Sequence, residues 1–229
     1  MVKEGYYFGL PLLLLAGAAY LLQWPTTAVV LVCLALFVFS FFRDPHRAIP
    51  QEAGAVVSPA DGRVVVVMDE ESAGRPGKRI SIFLAVWNVH VNRAPAEGVI
   101  TDFQYKPGRF LAAMKAEASL QNEQNIFTLK TDAGEMVFKQ IAGLIARRVV
   151  SWKNPGDRVA RGERIGLVRF GSRADVWLPA DAEILVKVGE NVKGGSSVLA
   201  KWLPKQAAQT DSRASVATDT KLMEAGRAN

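Results

Sequence analysis

A glycine and a serine stand together inside Val168-Arg169-Phe170-Gly171-Ser172-Arg173-Ala174-Asp175-Val176-Trp177, a stretch whose alternating pattern otherwise reads as strand. Glycine weakens a strand interior and marks a bulge or a close backbone approach. A serine hydroxyl beside a bare glycine carbonyl can attack it where the backbone is bent and a base takes the proton. A β-bulge carrying a surface serine is the competing reading of these residues alone. Residues able to act as that base are scarce, since the only histidines are His46 and His90. Residues 80–93 read as one long buried strand, which places Leu84, Val86, Asn88, His90 and Asn92 on one face. Asn, His and Asn in a row on an apolar strand are costly to bury unless they line a polar pocket.

The chain of 229 residues is long enough for one domain of ordinary size with extensions. A single cysteine, Cys33, excludes a disulfide framework and a cysteine-based metal site. Two histidines leave little material for zinc, so no metal is expected. The net charge of +6 favours an anionic partner. The basic residues do not cluster among aromatics, so lipid is favoured over nucleic acid.

No charged residue occurs from Gly5 to Phe42. As one helix that run would be about 57 Å long, against a hydrocarbon core of about 30 Å. Gln23-Trp24-Pro25 interrupts it, which suggests two membrane passes, 6–23 and 26–42, or a hairpin dipping into one leaflet. A removed signal peptide fits poorly, because a second apolar run follows at once. Lys3 before the run and Arg43 and Arg47 after it place both ends on the cytoplasmic side. Residues 1–47 are then a membrane hairpin with its interfacial flank, 48–203 the soluble domain and 204–229 a polar, disordered tail.

Within 48–203, strand signals dominate. Residues 98–106, a hairpin of 125–131 with 135–142, and residues 144–152 read as strands. Residues 69–78 read as a loop, and a short helix is expected around 111–118. An internal repeat matches Gly156-Asp-Arg-Val159-Ala-Arg-Gly162-Glu-Arg-Ile165 to Gly189-Glu-Asn-Val192-Lys-Gly-Gly195-Ser-Ser-Val198. The fold expected is mainly β, a β-rich sandwich or barrel-like domain with few short helices. The repeat also bears on a rival Gly-Ser pair. Gly195-Ser196 answers to the turn glycine Gly162, whereas Gly171 has no counterpart. Pro59-Ala60-Asp61 is echoed by Pro179-Ala180-Asp181, so Asp61 can also be read as part of a turn used twice.

Six motifs occur in order: Phe42-Arg43-Asp44-Pro45, Ser58-Pro59-Ala60-Asp61-Gly62, Asn88-Val89-His90-Val91-Asn92-Arg93-Ala94-Pro95, Gln121-Asn122-Glu123, Gln140-Ile141-Ala142-Gly143 and Arg169-Phe170-Gly171-Ser172-Arg173. Together they resemble the short, prokaryotic type of phosphatidylserine decarboxylase over roughly residues 40–203. The resemblance implies a pyruvoyl enzyme made by self-cleavage between Gly171 and Ser172, with Asp61, His90 and Ser172 as a serine-protease-like triad. It implies a pyruvoyl group derived from Ser172, with no metal and no pyridoxal phosphate. That carbonyl would take the serine headgroup amine and act as electron sink for loss of carbon dioxide, giving phosphatidylethanolamine. His90 would return the proton. Asn88, Asn92 and Asn122 would contact substrate. The two cleaved chains would stay together as a heterodimer, on the cytoplasmic face of the inner membrane, with a higher oligomer left open. In other branches of the family the cleaved motif is Leu-Gly-Ser-Thr, and a second histidine stands where this chain has Trp87, so that histidine's role does not transfer.

Two other classes compete. A non-enzymatic, membrane-anchored β-sandwich of lipoyl- or biotinyl-carrier type would explain the repeat, but the chain has no Met-Lys-Met turn; Met114-Lys115 is the nearest approach. A zinc peptidase would need more ligands than the chain has.

Overall fold

The computed structural model describes residues 1–72, 74–114, 117–144, 148–169 and 171–204. The chain opens with helices α1 (Lys3–Leu21) and α2 (Pro25–Phe41), packed on each other as a hairpin. Pro25 opens α2, where its missing N–H costs nothing. The expectation of two membrane-crossing passes is not supported, because no helix among the described residues is long and apolar enough to cross a membrane. The reason is dimensional for α2: its 17 residues span about 25 Å. In α1, Lys3, Glu4 and Pro11 lie inside the helix and shorten its apolar part.

Among the described residues the rest is mainly strand, as expected, with one short helix. In chain order come β1 (Ala55–Val57), β2 (Gly62–Ser72), β3 (Arg75–Leu84), β4 (Val91–Arg93), β5 (Gly98–Lys106), α3 (Ala118–Gln121), β6 (Gln124–Thr131) and β7 (Gly134–Ile141). There follow β8 (Val149–Ser151), β9 (Arg158–Val159), β10 (Arg164–Val168), β11 (Ser172–Pro179), β12 (Glu183–Ile184), β13 (Asn191–Val192) and β14 (Val198–Lys201). An eight-stranded sheet runs β13-β2-β3-β11-β7-β6-β5-β9, and two three-stranded sheets, β1-β14-β12 and β4-β10-β8, accompany it.

One row of apolar side chains crosses the large sheet. Val67 pairs with Ile80, Ile80 with Val176, Val176 with Phe138, Phe138 with Phe127 and Phe127 with Phe103. Phe127 and Phe138 stack with ring centroids 4.4 Å apart, and both are buried in the main core. Cross-strand pairs of this kind are the unit from which a sheet draws stability.

The repeat is structural. Gly156 donates to Ile100 O, and Ile100 N–H donates to Asp157 O; Gly189 and Val64 make the same exchange with Val64 O and Glu190 O. Gly162 N–H donates to Ala94 O as Gly195 N–H does to Ser58 O. Each unit supplies a two-residue strand, β9 or β13, that closes one edge of the large sheet. Gly162 and Gly195 both adopt positive φ, +74° and +77°, which favours glycine.

Four local expectations need correction. Residues 80–93 are not one strand: β3 ends at Leu84, the Asn88 Oδ1 accepts the Ala85 N–H, and a turn separates β3 from β4. Residues 69–78 are not a loop but the ends of β2 and β3, where Asp69 stands opposite Lys78 and Glu70 pairs with Arg79 at 2.7 Å. The helix expected around 111–118 begins at Ala118 instead, with residues 115–116 outside the described set. Of 144–152, only Val149–Ser151 is strand, and 145–147 lie outside the described residues. The disordered tail expected from 204 also falls outside them, beyond Pro204.

Phe127→Ala empties the centre of the aromatic row and should lower unfolding free energy by about 3–5 kcal/mol, measured by urea denaturation.

Candidate active site

Gly171 and Ser172 are not a mid-strand bulge. They form the passage from β10, in a three-stranded sheet, to β11, at the centre of the large one. Ser172 pairs with Leu84, and Arg173 with both Phe83 and Ile141, so β11 starts held on both sides. Gly171 has φ +62°, and a Cβ there would meet nothing within 4 Å, so glycine is required for conformation rather than space. Gly143 is the reverse case: a Cβ on it would collide with the Gly171 carbonyl oxygen. The Gly171 carbonyl therefore rests directly on the Gly143 backbone.

Asn122 holds that backbone in place. Its Nδ2 donates to Leu111 O at 2.8 Å and to Ala142 O at 2.7 Å, and its Oδ1 accepts the Leu111 N–H at 2.9 Å. The side chain is fully buried and its amide hydrogens are both used within the protein.

From Leu84, opposite Ser172, the chain turns and delivers His90 beside the approach to Gly171, where the Val168 N–H donates to His90 O at 3.3 Å. His90 is buried, and Phe41 of α2 packs on its ring with centroids 4.1 Å apart. The Nδ1 lies 2.9 Å from Asn88 O. A carbonyl oxygen only accepts, so Nδ1 carries the hydrogen and Nε2 presents a lone pair. Burial lowers the His90 pKa to about 4, against the raising effect of Asn88 O and with a further lowering from Arg43. The imidazole is neutral at neutral pH. His90 Nε2 and Ser172 Oγ are both buried without a hydrogen-bond partner. Native proteins rarely leave such atoms unsatisfied, and where they do the atoms are often reserved for chemistry.

The remaining expected residues lie elsewhere. Asp61 is not hydrogen-bonded to His90; its carboxylate pairs with Arg47 at 2.8 Å and accepts the Gly194 N–H at 2.7 Å. The acceptor that orients His90 is the Asn88 carbonyl. The Asn88 side chain is taken up by its own turn. Asn92 is buried, with its Oδ1 accepting from Gln140 Nε2 at 2.9 Å. The row of Asn88, His90 and Asn92 is thus not one wall, because the turn after β3 breaks the alternation. Asp181, the echo of Asp61, is exposed in a turn.

Sequence reasoning gave no role to Phe41, Gly143 or Arg173. Gly143 stands in a quoted motif, and Arg173 directly follows the serine; nothing in the pattern marks Phe41. A pocket of about 570 Å³ opens beside Trp87 and Asn88, lined also by Arg63, Phe83, Met114 and Val188. Among the described residues no group of three or more His, Cys, Asp or Glu is placed to hold a metal ion.

A buried serine next to a left-handed glycine, and a buried histidine whose backbone meets the segment leading to that glycine, form the candidate site of an enzyme. The family model for phosphatidylserine decarboxylase matches residues 34–200. The phosphatidylserine decarboxylase proenzyme of Solibacter usitatus is 50% identical over 208 residues, which is 90% of this chain and 99% of the relative. That of Symbiobacterium thermophilum is 48% identical over 205 residues, covering 88% and 95%, and that of Syntrophus aciditrophicus 46% over 196 residues, covering 84% and 91%. The chain belongs to the phosphatidylserine decarboxylase family and is a decarboxylase, a carboxy-lyase. The matched region includes both copies of the repeat, which removes the ground for a carrier or adaptor.

The partly buried Asp61–Arg47 pair generates a test. Asp61→Asn and Arg47→Met should each cost about 1–3 kcal/mol in urea unfolding. Neither should move the titration midpoint of His90 followed by NMR; a shift would place Asp61 in contact with His90 in solution.

Proposed function

We propose that the chain is a proenzyme that cuts itself between Gly171 and Ser172 and then decarboxylates phosphatidylserine. Two buried atoms without a hydrogen-bond partner, Ser172 Oγ and His90 Nε2, carry the reading. In it, His90 Nε2 takes the Ser172 hydroxyl proton as Oγ attacks the Gly171 carbonyl carbon. The ester forms as the Gly171–Ser172 C–N bond breaks. Loss of the residue-172 α-proton then breaks the Cβ–Oγ bond, Gly171 leaves as a carboxylate, and water displaces the nitrogen as ammonia. The group that results at residue 172 is a pyruvoyl, which supplies a carbonyl to take the substrate amine and accept the electron pair released with carbon dioxide. The residues fit its formation: Gly171 is bent, its carbonyl is seated on Gly143, and Ser172 Oγ is unengaged.

His90 can hold the proton that replaces the lost carboxyl, since its Nε2 is free to accept one. The pocket beside Trp87 adjoins this centre through Ala85, next to Leu84, and through Met114, next to Ala113 at Gly143. It offers a polar headgroup a route in, with Arg63 as a cationic contact for the phosphodiester. No metal or pyridoxal phosphate enters the scheme. The chains 1–171 and 172–229 remain one body, because β11 is laddered to β3 and β7.

The lipid substrate suits the helical hairpin. Leu14, Leu21, Val30 and Trp24 are among its exposed side chains, at 75%, 79%, 60% and 60%. An apolar surface of this extent marks a partner, and Lys3 and Arg43 at its base suit anionic headgroups. The hairpin inserts into the cytoplasmic leaflet of the inner membrane without spanning it, and exposed Trp87 sits at the interface.

Intact mass of the wild type should show two chains, the shorter derived from 172–229 with a blocked N-terminus that reacts with a carbonyl reagent. Ser172→Ala should remain one inactive chain. Gly143→Ala, which displaces the Gly171 carbonyl, should slow cleavage at least a hundredfold, whereas Ser196→Ala should cleave normally. A single full-length wild-type chain that is active would overturn the reading.

Leu14→Glu with Val30→Glu should abolish co-flotation with phosphatidylglycerol-containing vesicles while leaving self-cleavage intact. Undiminished flotation would remove the hairpin from the membrane contact.

A further inference from the structure

The hairpin reaches further into the molecule than a membrane contact requires. Phe41 and Phe42 are buried, each 2% exposed, and form one apolar cluster with Val2, Val89, Val91 and Leu167. Phe41 meets Phe42 edge-on at 5.0 Å, Phe42 stacks with Phe8 at 5.8 Å, and the Arg169 guanidinium lies 5.3 Å over Phe8. The Val2 N–H donates to Phe42 O at 3.2 Å, and Arg43 Nη2 donates to Trp87 O at 2.7 Å. The hairpin thus grips both arms of the candidate site: the turn that ends in His90, and the segment after β10 that leads into Gly171.

We propose that Phe41, the last residue of α2, is a positioning residue for His90, so that the docked hairpin is a wall of the reaction site. The inference rests on reading His90 as the base at the Gly171–Ser172 bond. Phe41 covers one face of the imidazole, and Asn88 O fixes its Nδ1 edge. Together they leave Nε2 the single free atom of the ring. The aromatic cover excludes water, so the ring stays neutral and its lone pair available. The charged group acting on the ring is Arg43, from the segment after α2; Arg169, after β10, stands over Phe8. On the β3–β4 side the ring meets a carbonyl, and no carboxylate acts on it among the described residues. Burial and Arg43 both disfavour the protonated ring, so loss of the cover is the change that lets it charge.

The sign follows. With Phe41 in place, His90 stays neutral down to about pH 4. With the ring exposed, its midpoint rises toward about 6.5, and at pH 5.5 about nine-tenths of the base is protonated. The experiment is an NMR titration of the full-length Ser172→Ala chain. His90 should titrate near 4, and Phe41→Ala should move it up by one unit or more. Phe41→Leu keeps an apolar residue on the helix and should give a smaller shift; it decides the matter if the alanine variant does not fold. In the Ser172 background, self-cleavage of Phe41→Ala should fall roughly tenfold between pH 7.5 and 5.5, a fall the Phe41 protein does not show. An unchanged His90 midpoint in both variants, or an unchanged cleavage profile, overturns the proposal. A midpoint that moves in a chain whose wild type never cleaves would uphold the positioning by Phe41 and sink the self-cleavage reading instead.

Discussion

The Gly171–Ser172 bond lies where the chain leaves one sheet for another, and the surrounding structure depends on how that passage is made. Ser172 is paired with β3 and Arg173 with both β3 and β7, so the start of β11 cannot shift without disturbing two ladders. In the proposed reaction, attacker and base would have to be brought to a fixed bond. Two glycines do separate work there. Gly171 supplies a positive φ that bends the chain, and Gly143 supplies the missing Cβ that lets the Gly171 carbonyl settle against the backbone. Asn122 binds Leu111 and Ala142 to each other and so holds Gly143 in register.

A charged network secures β11 immediately after the serine. Arg173 is fully buried, with its Nε donating to Asp175 Oδ1 and its Nη2 to Ser81 Oγ, both at 2.6 Å. Asp175 Oδ2 in turn accepts from Ser119 Oγ, which brings the α3 region onto the same strand. A buried ion pair is a weak source of net stability, because desolvation offsets most of the attraction. Its value lies in specificity: it ties β11, β3 and the α3 segment to one arrangement. If the chain is cut ahead of residue 172, the new terminus is anchored one residue in, and the reactive end stays where it was made.

The parts of the fold legible in the sequence were those with local signals. Repeated Gly-x-x-Val-x-x-Gly spacing marked two equivalent turn units, because a positive φ at each second glycine admits little else. The hairpin of β6 and β7 was marked by Gly134 between apolar runs. The errors also have local causes. Residues 69–78 looked like a loop because they are charged, yet the charges alternate in sign across a turn and pair between strands, as Glu70 does with Arg79. Residues 80–93 looked like one strand because they are apolar, yet Asn88 prefers to cap a turn with its own side chain. That turn takes His90 off a strand face and sets its backbone beside Val168, on the way to Gly171. The cover by Phe41 and the diversion of Asp61 to Arg47 join residues far apart in the chain, and no spacing rule reports such contacts.

The repeat also explains why one Gly-Ser pair differs from the other. Each unit closes an edge of the large sheet through β9 or β13, then runs into a longer strand, β10 or β14. In the second unit β14 leads to Trp202, which packs into the core near the end of the described chain. In the first, β10 continues through residues 169–171 into β11 and so joins the centre of the large sheet. Ser196 lies within a turn of its unit, its N–H donating to Lys193 O, whereas Ser172 begins a strand with its hydroxyl unengaged. The near-symmetric frame supplies rigidity at both edges, and the candidate chemistry sits where the first unit departs from it. The apolar hairpin packs against that same departure through Phe8 and Arg169, so the exposed helices and the Gly171–Ser172 bond share one boundary.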